Sequence, residues 1–209
     1  MTTPAVRMVR LLGTVSLICG MLIVATKLAT STRIRQNQET IMRDSVAELL
    51  PGIRKQIIYA IEPSGELKIV PGLETEGPRL FAGYDAAGRF LGVVIETSDR
   101  GYADTISAMY AYSPDKQAIT GFKVVDMRET PGLGDRIRSD PDFLANFHDL
   151  DATHPPKVVK HGSKKNPWEI DAISGATISS RAVGRMLDKS VKDVVPVVLK
   201  NRDRIEKGN

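Results

Sequence analysis

The chain of 209 residues has one cysteine, three histidines and only 5% aromatic residues. A single cysteine excludes an internal disulfide, so the cysteine content does not indicate a redox compartment. The 29 basic and 25 acidic residues are scattered, without a basic stripe or interleaved aromatics, and we therefore predict no nucleic-acid partner. The length and the 42% hydrophobic content fit one globular domain after an N-terminal segment.

Two patterns that could carry chemistry are weak. The spacing of His148, His154 and His161 matches no compact zinc motif, so the sequence predicts no metal site. Ser113-Pro114-Asp115-Lys116 has the S-x-x-K form found in some serine hydrolases. It falls on a predicted turn between strands and has no companion motif, so we predict no catalytic residue in this chain.

An uncharged apolar run near the N-terminus extends from Leu11 to Thr26. It is shorter than the roughly 20 residues that a transmembrane helix prefers, but Arg10 and Lys27 can snorkel from its ends. A cleaved signal peptide is the alternative, although Ala25-Thr26-Lys27 places a lysine where a small residue is expected. The pattern favours a single transmembrane helix, and the charges on its two sides do not fix the orientation.

The next part of the chain predicts a helix and then strands. Ser31 to Leu50 has helical apolar spacing and predicts a helix that leaves the membrane and packs on the domain. Lys55 to Val70 predicts a hairpin around Pro63-Ser64-Gly65. A meander of about four antiparallel strands follows, at Arg79–Tyr84, Arg89–Ile95, Thr105–Tyr112 and Ala118–Met127.

The C-terminal part predicts two helices. The first covers Asp142 to Leu150, with Phe143, Leu144 and Phe147 facing inward. The second is long and carries an apolar face at Val183, Leu187, Val191, Val194 and Val198. Pro196 is expected to end or kink it near Val195, and the charged segment Lys200 to Asn209 is expected to be solvated.

A run of small and hydroxylated residues, Asp171 to Ser180, opens this long helix. The first N–H groups of a helix have no internal acceptor and its dipole is positive there, so a phosphate is favoured. Gly175 and Ala176 leave room for a bulky group against the backbone. The alternative is that Ser174 or Thr177 is an ordinary helix cap.

A second glycine-containing stretch, Glu129 to Asp135, predicts a tight loop. As a dinucleotide-binding fingerprint it is incomplete, because Ile137 stands where the third glycine belongs. Trp168, shortly before Asp171, either stacks beside a ring or anchors the core or its rim.

Asp171-x-x-Ser174-Gly175-Ala176-Thr177 resembles the flavinylation motif of the FMN-binding domain found in Rnf-type ion-translocating oxidoreductases and sodium-translocating NADH:quinone oxidoreductases. Glu129-Thr130-Pro131-Gly132-Leu133-Gly134 resembles the second signature of the same family. The resemblance covers most of residues 80–190. It implies FMN bound covalently through its phosphate to Thr177, a phosphate site that includes Asp171, Ser174, Gly175 and Ala176, and a ring flanked by Glu129, Thr130, Leu133 and Gly134.

The resemblance also implies a function, a location and partners. It implies a membrane-anchored electron carrier of the inner membrane, with the flavin domain on the periplasmic side. Other membrane subunits and a separate flavin transferase are the implied partners. A single transmembrane span and a short domain fit the Rnf-type branch, which passes electrons between ferredoxin and NAD. They fit the corresponding subunit of the quinone reductase less well, because that subunit is usually longer. A membrane-tethered binding module without flavin is the remaining alternative.

The expected fold class is α+β, with a single N-terminal transmembrane helix and then an antiparallel-sheet FMN-binding domain with flanking helices. The expected boundaries are 1–30 for a short cytoplasmic N-terminus and the transmembrane helix, 31–78 for the connecting helix and hairpin, 79–200 for the FMN-binding domain, and 201–209 for the charged tail.

Overall fold

The computed structural model describes residues 4–62, 64–72 and 78–208. Pro63 of the predicted hairpin turn lies outside these residues, as do 73–77 of the predicted connecting segment and both extreme ends of the chain. The chain divides into two units, Met1–Ile41 and Met42–Asn209. The first helix, α1 (Pro4–Leu49), belongs to the first unit except for its last residues, which belong to the second.

The first unit is an exposed apolar helix. Leu11 and Leu22 are 66% and 62% exposed, and the most apolar window of the helix has no buried residue. Among the described residues α1 is the one helix that is long and apolar enough to cross a membrane, a property that signal sequences share. Exposed apolar surface costs about 25 cal/mol per Å² in water, so this helix requires an apolar environment.

The second unit is organised around a seven-stranded antiparallel sheet with the order β2-β1-β3-β4-β5-β6-β7. A two-stranded parallel sheet lies apart from it. The main strands are β1 (Lys55–Ile61), β2 (Leu67–Val70), β3 (Arg79–Tyr84), β4 (Phe90–Arg100), β5 (Thr105–Ser113), β6 (Ala118–Asp126) and β7 (Leu150–Asp151). The small sheet pairs β8 (Lys157–Val159) with β9 (Glu169–Asp171). The predicted hairpin and four-stranded meander are confirmed, within a larger sheet in which β1 also pairs with β3.

The main sheet is covered on both faces, as its alternating side chains require. Along β5, Tyr110 and Tyr112 face the core beneath the long C-terminal helix, whereas Met109 packs in a second cluster. Val46 and Leu50, at the end of α1 and just beyond it, belong to that second cluster. The predicted packing on the domain is therefore confirmed for the end of this helical segment, from Met42 on.

The helices of the second unit after β6 are a 3₁₀ turn (Gly134–Arg138), α2 (Pro141–Ala145), α3 (Thr177–Lys200) and α4 (Arg202–Lys207). The predicted apolar face of α3 is buried. Of the two outcomes expected near Val195, an end or a kink, the end is wrong, because the helix continues through Pro196 to Lys200. A proline inside a helix destabilises it by about 3 kcal/mol, and burial of a valine side chain stabilises the fold by about 1.5 kcal/mol or more. Val194, Val195 and Val198 are all buried, so packing offsets the lost hydrogen bond.

Two further predictions are corrected. The short helix ends at Ala145, earlier than expected, and Leu150 belongs to β7; Phe143 and Phe147 are buried as predicted, and Leu144 is half-buried. The C-terminal segment is not a solvated tail. It forms α4, whose Ile205 is buried and accepts a hydrogen bond from the Tyr84 hydroxyl through its carbonyl oxygen. Burial raises the pKa of that hydroxyl, which therefore stays a donor.

Candidate functional site

A pocket of about 370 Å³ lies where the β4–β5 connection, the loop after β6 and the first turn of α3 meet. Its volume falls in the ~300–1,000 Å³ range of small-molecule sites. The lining residues are Tyr102, Glu129, Thr130, Leu133, Gly134, Gly175, Ala176, Thr177, Ile178 and Ser179. The fold thus brings the two sequence motifs together in one pocket.

Glu129 connects the three parts of the pocket wall. One carboxylate oxygen accepts hydrogen bonds from the backbone N–H of Tyr102 at 2.8 Å and of Ala103 at 3.3 Å. The other accepts from the Ser179 hydroxyl at 3.2 Å. The carboxylate therefore fixes the β4–β5 connection and the start of α3 relative to its own loop.

Two glycines allow the backbone to approach this carboxylate closely. A Cβ at Gly134 would lie 2.5 Å from one Glu129 oxygen and 2.8 Å from the Ser179 hydroxyl. A Cβ at Gly101 would lie 2.1 Å from the other Glu129 oxygen. Neither position accommodates a side chain unless Glu129 moves, so these glycines are required by packing.

The first turn of α3 presents uncapped backbone donors. Ala176 is the residue before the helix, and no side chain accepts from the helical N–H groups. The bond from Ser180 N–H to the Ala176 carbonyl closes the first turn, so the N–H groups of Thr177, Ile178 and Ser179 lack an acceptor within the helix. The alternative in which Ser174 or Thr177 is an ordinary cap is therefore wrong.

The hydroxyls of this turn have different environments. Ser180 is buried, accepts from Ile173 N–H at 3.1 Å and donates to the Ala176 carbonyl at 2.9 Å. Ser179 is buried and donates to Glu129. Thr177 is exposed and lines the pocket, and its hydroxyl has no hydrogen-bond partner in the part of the chain that the structure describes. In this turn Thr177 therefore offers the accessible oxygen.

The pocket also has an apolar surface. Tyr102, Leu133 and Ile178 are 65%, 50% and 50% exposed. Such side chains around one pocket favour the binding of a flat apolar group, which would remove them from water. Tyr102, Ile178 and Ser179 were not predicted as site residues. Ile178 and Ser179 could have been inferred from their place in the first helical turn, whereas no sequence signal identifies Tyr102.

Two predicted site residues lie beside the pocket and do not line it. Asp171 accepts a hydrogen bond from Gly162 N–H at 2.8 Å, and its own N–H donates to the Asn146 side chain at 2.9 Å. Ser174 is exposed, and its carbonyl accepts from Arg136 at 3.4 Å. These contacts hold the backbone that enters Gly175, where φ is +84°.

The aromatic and histidine residues singled out in the sequence lie elsewhere. Trp168 stacks on His154, with ring centroids 4.2 Å apart and an interplanar angle of 20°. Neither residue lines the pocket. In residues 4–62, 64–72 and 78–208, no three His, Cys, Asp or Glu side chains are grouped to hold a metal ion.

Comparison with known proteins identifies the family. Residues 101–192, which contain both motifs, match the FMN-binding domain family. The G subunit of the ion-translocating oxidoreductase complex of Methanosarcina acetivorans is 30% identical over 85% of this chain and 87% of its own length. The chain belongs to the G-subunit family of ion-translocating oxidoreductase complexes. The corresponding protein of Cereibacter sphaeroides is 28% identical over 83% of this chain and 76% of its own length.

Solved structures show the same fold. NqrC of Shewanella oneidensis superposes with a TM-score of 0.61 at 20% identity, over 75% of this chain and 93% of that chain. The C subunit of the Na⁺-translocating NADH-quinone reductase of Parabacteroides distasonis gives 0.63 at 21% identity, over 78% and 94%. The predicted fold class and the predicted Rnf-type branch of the family are confirmed.

The residues of the pocket fit FMN. Uncapped helical N–H groups suit its phosphate, and the exposed apolar side chains suit its ring system. Both halves of the pocket are thus chemically compatible with FMN, the ligand in the description of the family that matches residues 101–192.

Proposed function

We propose that this chain is a membrane-anchored electron-transfer subunit that carries FMN as a phosphoester on Thr177, within an ion-translocating ferredoxin:NAD oxidoreductase complex. The observation that carries the proposal is the position of the Thr177 hydroxyl. It is exposed, has no partner among the described residues and lies at the uncapped start of α3 within the pocket. A phosphate ester at this oxygen would lie beside free backbone donors.

Charge near Thr177 supports a phosphate there. Arg181 is exposed and follows Thr177 by four residues on α3, which places the two on one side of the helix. Helical side chains lean toward the N-terminus, so the guanidinium of Arg181 would be able to reach the phosphate position. The helix dipole adds to this attraction.

The other pocket residues would have separate roles in holding FMN. FMN supplies the electron-transfer chemistry when bound, and the protein supplies its position and surroundings. Tyr102, Leu133 and Ile178 would hold the ring system, and Glu129 would keep the walls of the pocket in place. A covalent bond prevents loss of the cofactor outside the cytoplasm, where no pool of free FMN replaces it.

Attachment requires a second protein in this proposal. A threonine hydroxyl is a weak nucleophile without a base, and neither histidine nor lysine is among the residues that line the pocket. A separate flavin transferase would therefore catalyse the reaction with FAD as donor. The Thr177 oxygen would form the new bond to the FMN phosphorus, the phosphoanhydride bond of FAD would break with AMP as the leaving group, and the hydroxyl proton would pass to a base of the transferase.

The location belongs to the same proposal, which the exposed apolar helix α1 and the family support. The exposed apolar part of α1 would anchor the chain in the cell inner membrane as a single span. The FMN-binding unit would lie on the periplasmic side, next to the other membrane subunits of the complex.

The test is the substitution Thr177→Ala, expressed together with the flavin transferase. Denatured protein is examined by in-gel flavin fluorescence and intact mass. We expect the wild type and the control Ser174→Ala to keep the flavin, Thr177→Ser to keep part of it, and Thr177→Ala to lose it. Fluorescence that persists in Thr177→Ala refutes the attachment site. If the wild type itself carries no flavin, the tethered binding module without flavin becomes the better description.

A further inference from the structure

The segment from β8 to Trp168 forms a concentrated basic surface that the flavin site does not use. Residues 157–168 contain no acidic side chain. Lysines stand at positions 157, 160, 164 and 165, and all four are exposed. We call Lys157, Lys160, Lys164 and Lys165 the lysine loop.

Hydrogen bonds hold the backbone of the lysine loop, and its lysine side chains are exposed to solvent. The Glu169 carboxylate accepts from the N–H groups of Lys165 at 2.7 Å and Asn166 at 3.0 Å. Asp171 accepts from Gly162 N–H. The two nearest carboxylates thus bind mainly to loop backbone. Lys160 and Lys165 form no ion pair within the described part of the chain.

The lysine loop contacts the segment that leads to the proposed flavin attachment point, and it contacts the helix that carries it. The Asn146 side chain accepts from Lys164 at 3.2 Å and from the Asp171 backbone N–H at 2.9 Å. Asp171 precedes Thr177 by six residues, so their Cα atoms lie at most about 22 Å apart. Val158 of β8 packs against Gly184 of α3, where a Cβ would lie 2.3 Å from its side chain.

We propose that the lysine loop docks the acidic face of another protein subunit that exchanges electrons with this chain. The inference rests on the proposed function, since it is the flavin that makes a neighbouring docking surface useful. Complementary charge steers association and fixes orientation, which brings the partner to the side of the domain where the pocket begins.

A protein partner fits this surface better than anionic lipid. Segments that bind at a membrane surface combine basic residues with exposed apolar side chains that insert. None of the large apolar side chains that are exposed in the described part of the chain lies in residues 157–168. Trp168 is half-buried and stacks on His154. The lysine loop therefore offers charge without an insertable group.

The experiment uses native membranes that hold the whole complex and a carbodiimide, which joins a lysine amine directly to a contacting carboxylate. Mass spectrometry locates the cross-links. We expect links from the lysine loop to aspartates or glutamates of another subunit. High salt should lower the yield about tenfold, because it shortens the Debye length to about 3 Å at 1 M. Glutamine has no amine to cross-link, so the variant with all four lysines replaced by glutamine is measured by the amount of the cross-linked subunit that co-purifies with the chain, which should fall about tenfold.

The matched control replaces Lys68, Lys189, Lys200 and Lys207, which are also exposed, by glutamine and removes the same charge. We expect its cross-links from the lysine loop, and the amount of the co-purifying subunit, to stay at the wild-type level. Equal loss of the co-purifying subunit in both variants, or an amount unchanged in the loop variant, overturns the proposal.

Lipid binding and flavin content are tested separately. The full chain alone is placed in phosphatidylcholine discs with or without phosphatidylglycerol, and amine acetylation is measured. If the lysine loop is protected from acetylation only in the discs that contain phosphatidylglycerol, the proposal is overturned in favour of lipid binding. In-gel fluorescence reports the flavin independently, so a chain without flavin refutes the proposed function while the cross-links still decide on the surface.

Discussion

Gly134 is the residue at which local packing and the pocket depend on each other most directly. A methyl group there would meet both the Glu129 carboxylate and the Ser179 hydroxyl. We expect Gly134→Ala to displace Glu129, to destabilise the protein by about 1–3 kcal/mol and to lower its flavin content. Urea unfolding of the detergent-solubilised full chain, followed by Trp168 fluorescence, gives the free energy, and absorbance gives the flavin per chain.

The control for this substitution is Gly72→Ala. A Cβ at Gly72 meets no atom of the described residues within 4 Å, so we expect a change within about 0.5 kcal/mol. If Gly134→Ala behaves like Gly72→Ala in both measurements, Glu129 does not organise the pocket as described.

At this scale, residues within a motif are predictable and their distant partners are not. Thr177 and Gly175 are found from local pattern, because helix opening and a positive φ depend on neighbouring residues. Tyr102 and Ser179 join the site through Glu129, which lies 27 and 50 positions away from them. Only the fold sets such contacts.

At the scale of elements, the β8–β9 connection depends on ionised carboxylates. Hydrogen bonds from the N–H groups of Lys165 and Asn166 hold the pKa of Glu169 below its ordinary value of 4.5. A lowered pKa stabilises the fold above that value, and the contribution is lost as the pH falls through the lowered pKa. We expect the fluorescence of Trp168, the single tryptophan, to change in that acid range, and Glu169→Gln to reduce the change.

Asp151, which binds His154, has a related role in this acid transition. Burial raises the pKa of Asp151, but hydrogen bonds from Thr153 and His154 outweigh burial and hold it low. The effect of Glu169→Gln is therefore partial. The control is Asp85→Asn in the β3–β4 turn, where Arg89 lowers the pKa of Asp85. A Trp168 transition that responds equally to both substitutions contradicts this account.

The C-terminal helix α4 has six residues and depends on tertiary contacts. Tyr84→Phe removes the hydrogen bond to the Ile205 carbonyl, which still accepts from Gly208 N–H. We therefore expect a loss of about 0.5–1.5 kcal/mol and faster hydrogen exchange in α4. The matched Tyr102→Phe, at an exposed tyrosine, should leave exchange in α4 unchanged. No acceleration in Tyr84→Phe would show that this bond does not hold α4.

Elements follow from the sequence where their cause is local. The period of α3 predicts its buried face, because the valines repeat at helical spacing. The extension of α3 beyond Pro196 and the existence of α4 depend on the sheet, β3 and Tyr84, which the local sequence does not reveal. Helix propensity and the proline rule alone therefore end the helical structure too early.

At the scale of the whole molecule, the exposed apolar part of α1 decides between an anchored and a released protein. We expect the full chain to remain in the membrane pellet after alkaline carbonate extraction, because the apolar run, extended at its ends by the snorkelling side chains of Arg10 and Lys27, holds a helix in the bilayer. Leu17→Arg should weaken retention, since an arginine at a helix centre costs about 2.5–3.5 kcal/mol on insertion scales. Release of a chain shortened at its N-terminus would instead identify a signal peptide.

The sheet shows which parts of the architecture a sequence can predict. The β3–β6 meander is predictable because neighbouring strands along the chain pair with each other. The placement of β1 between β2 and β3, and the addition of β7 to β6, join segments that are separated in sequence. The positions of these strands depend on packing of the completed core.

The central claim is that the Thr177 oxygen is bonded to the FMN phosphate. Its most direct test is fragmentation mass spectrometry of the tryptic peptide 166–181 from chain purified out of its native membrane. The account predicts a peptide that carries FMN minus one water, with the added mass on Thr177. An unmodified peptide, or a flavin located on Ser174 or Ser179, would contradict it.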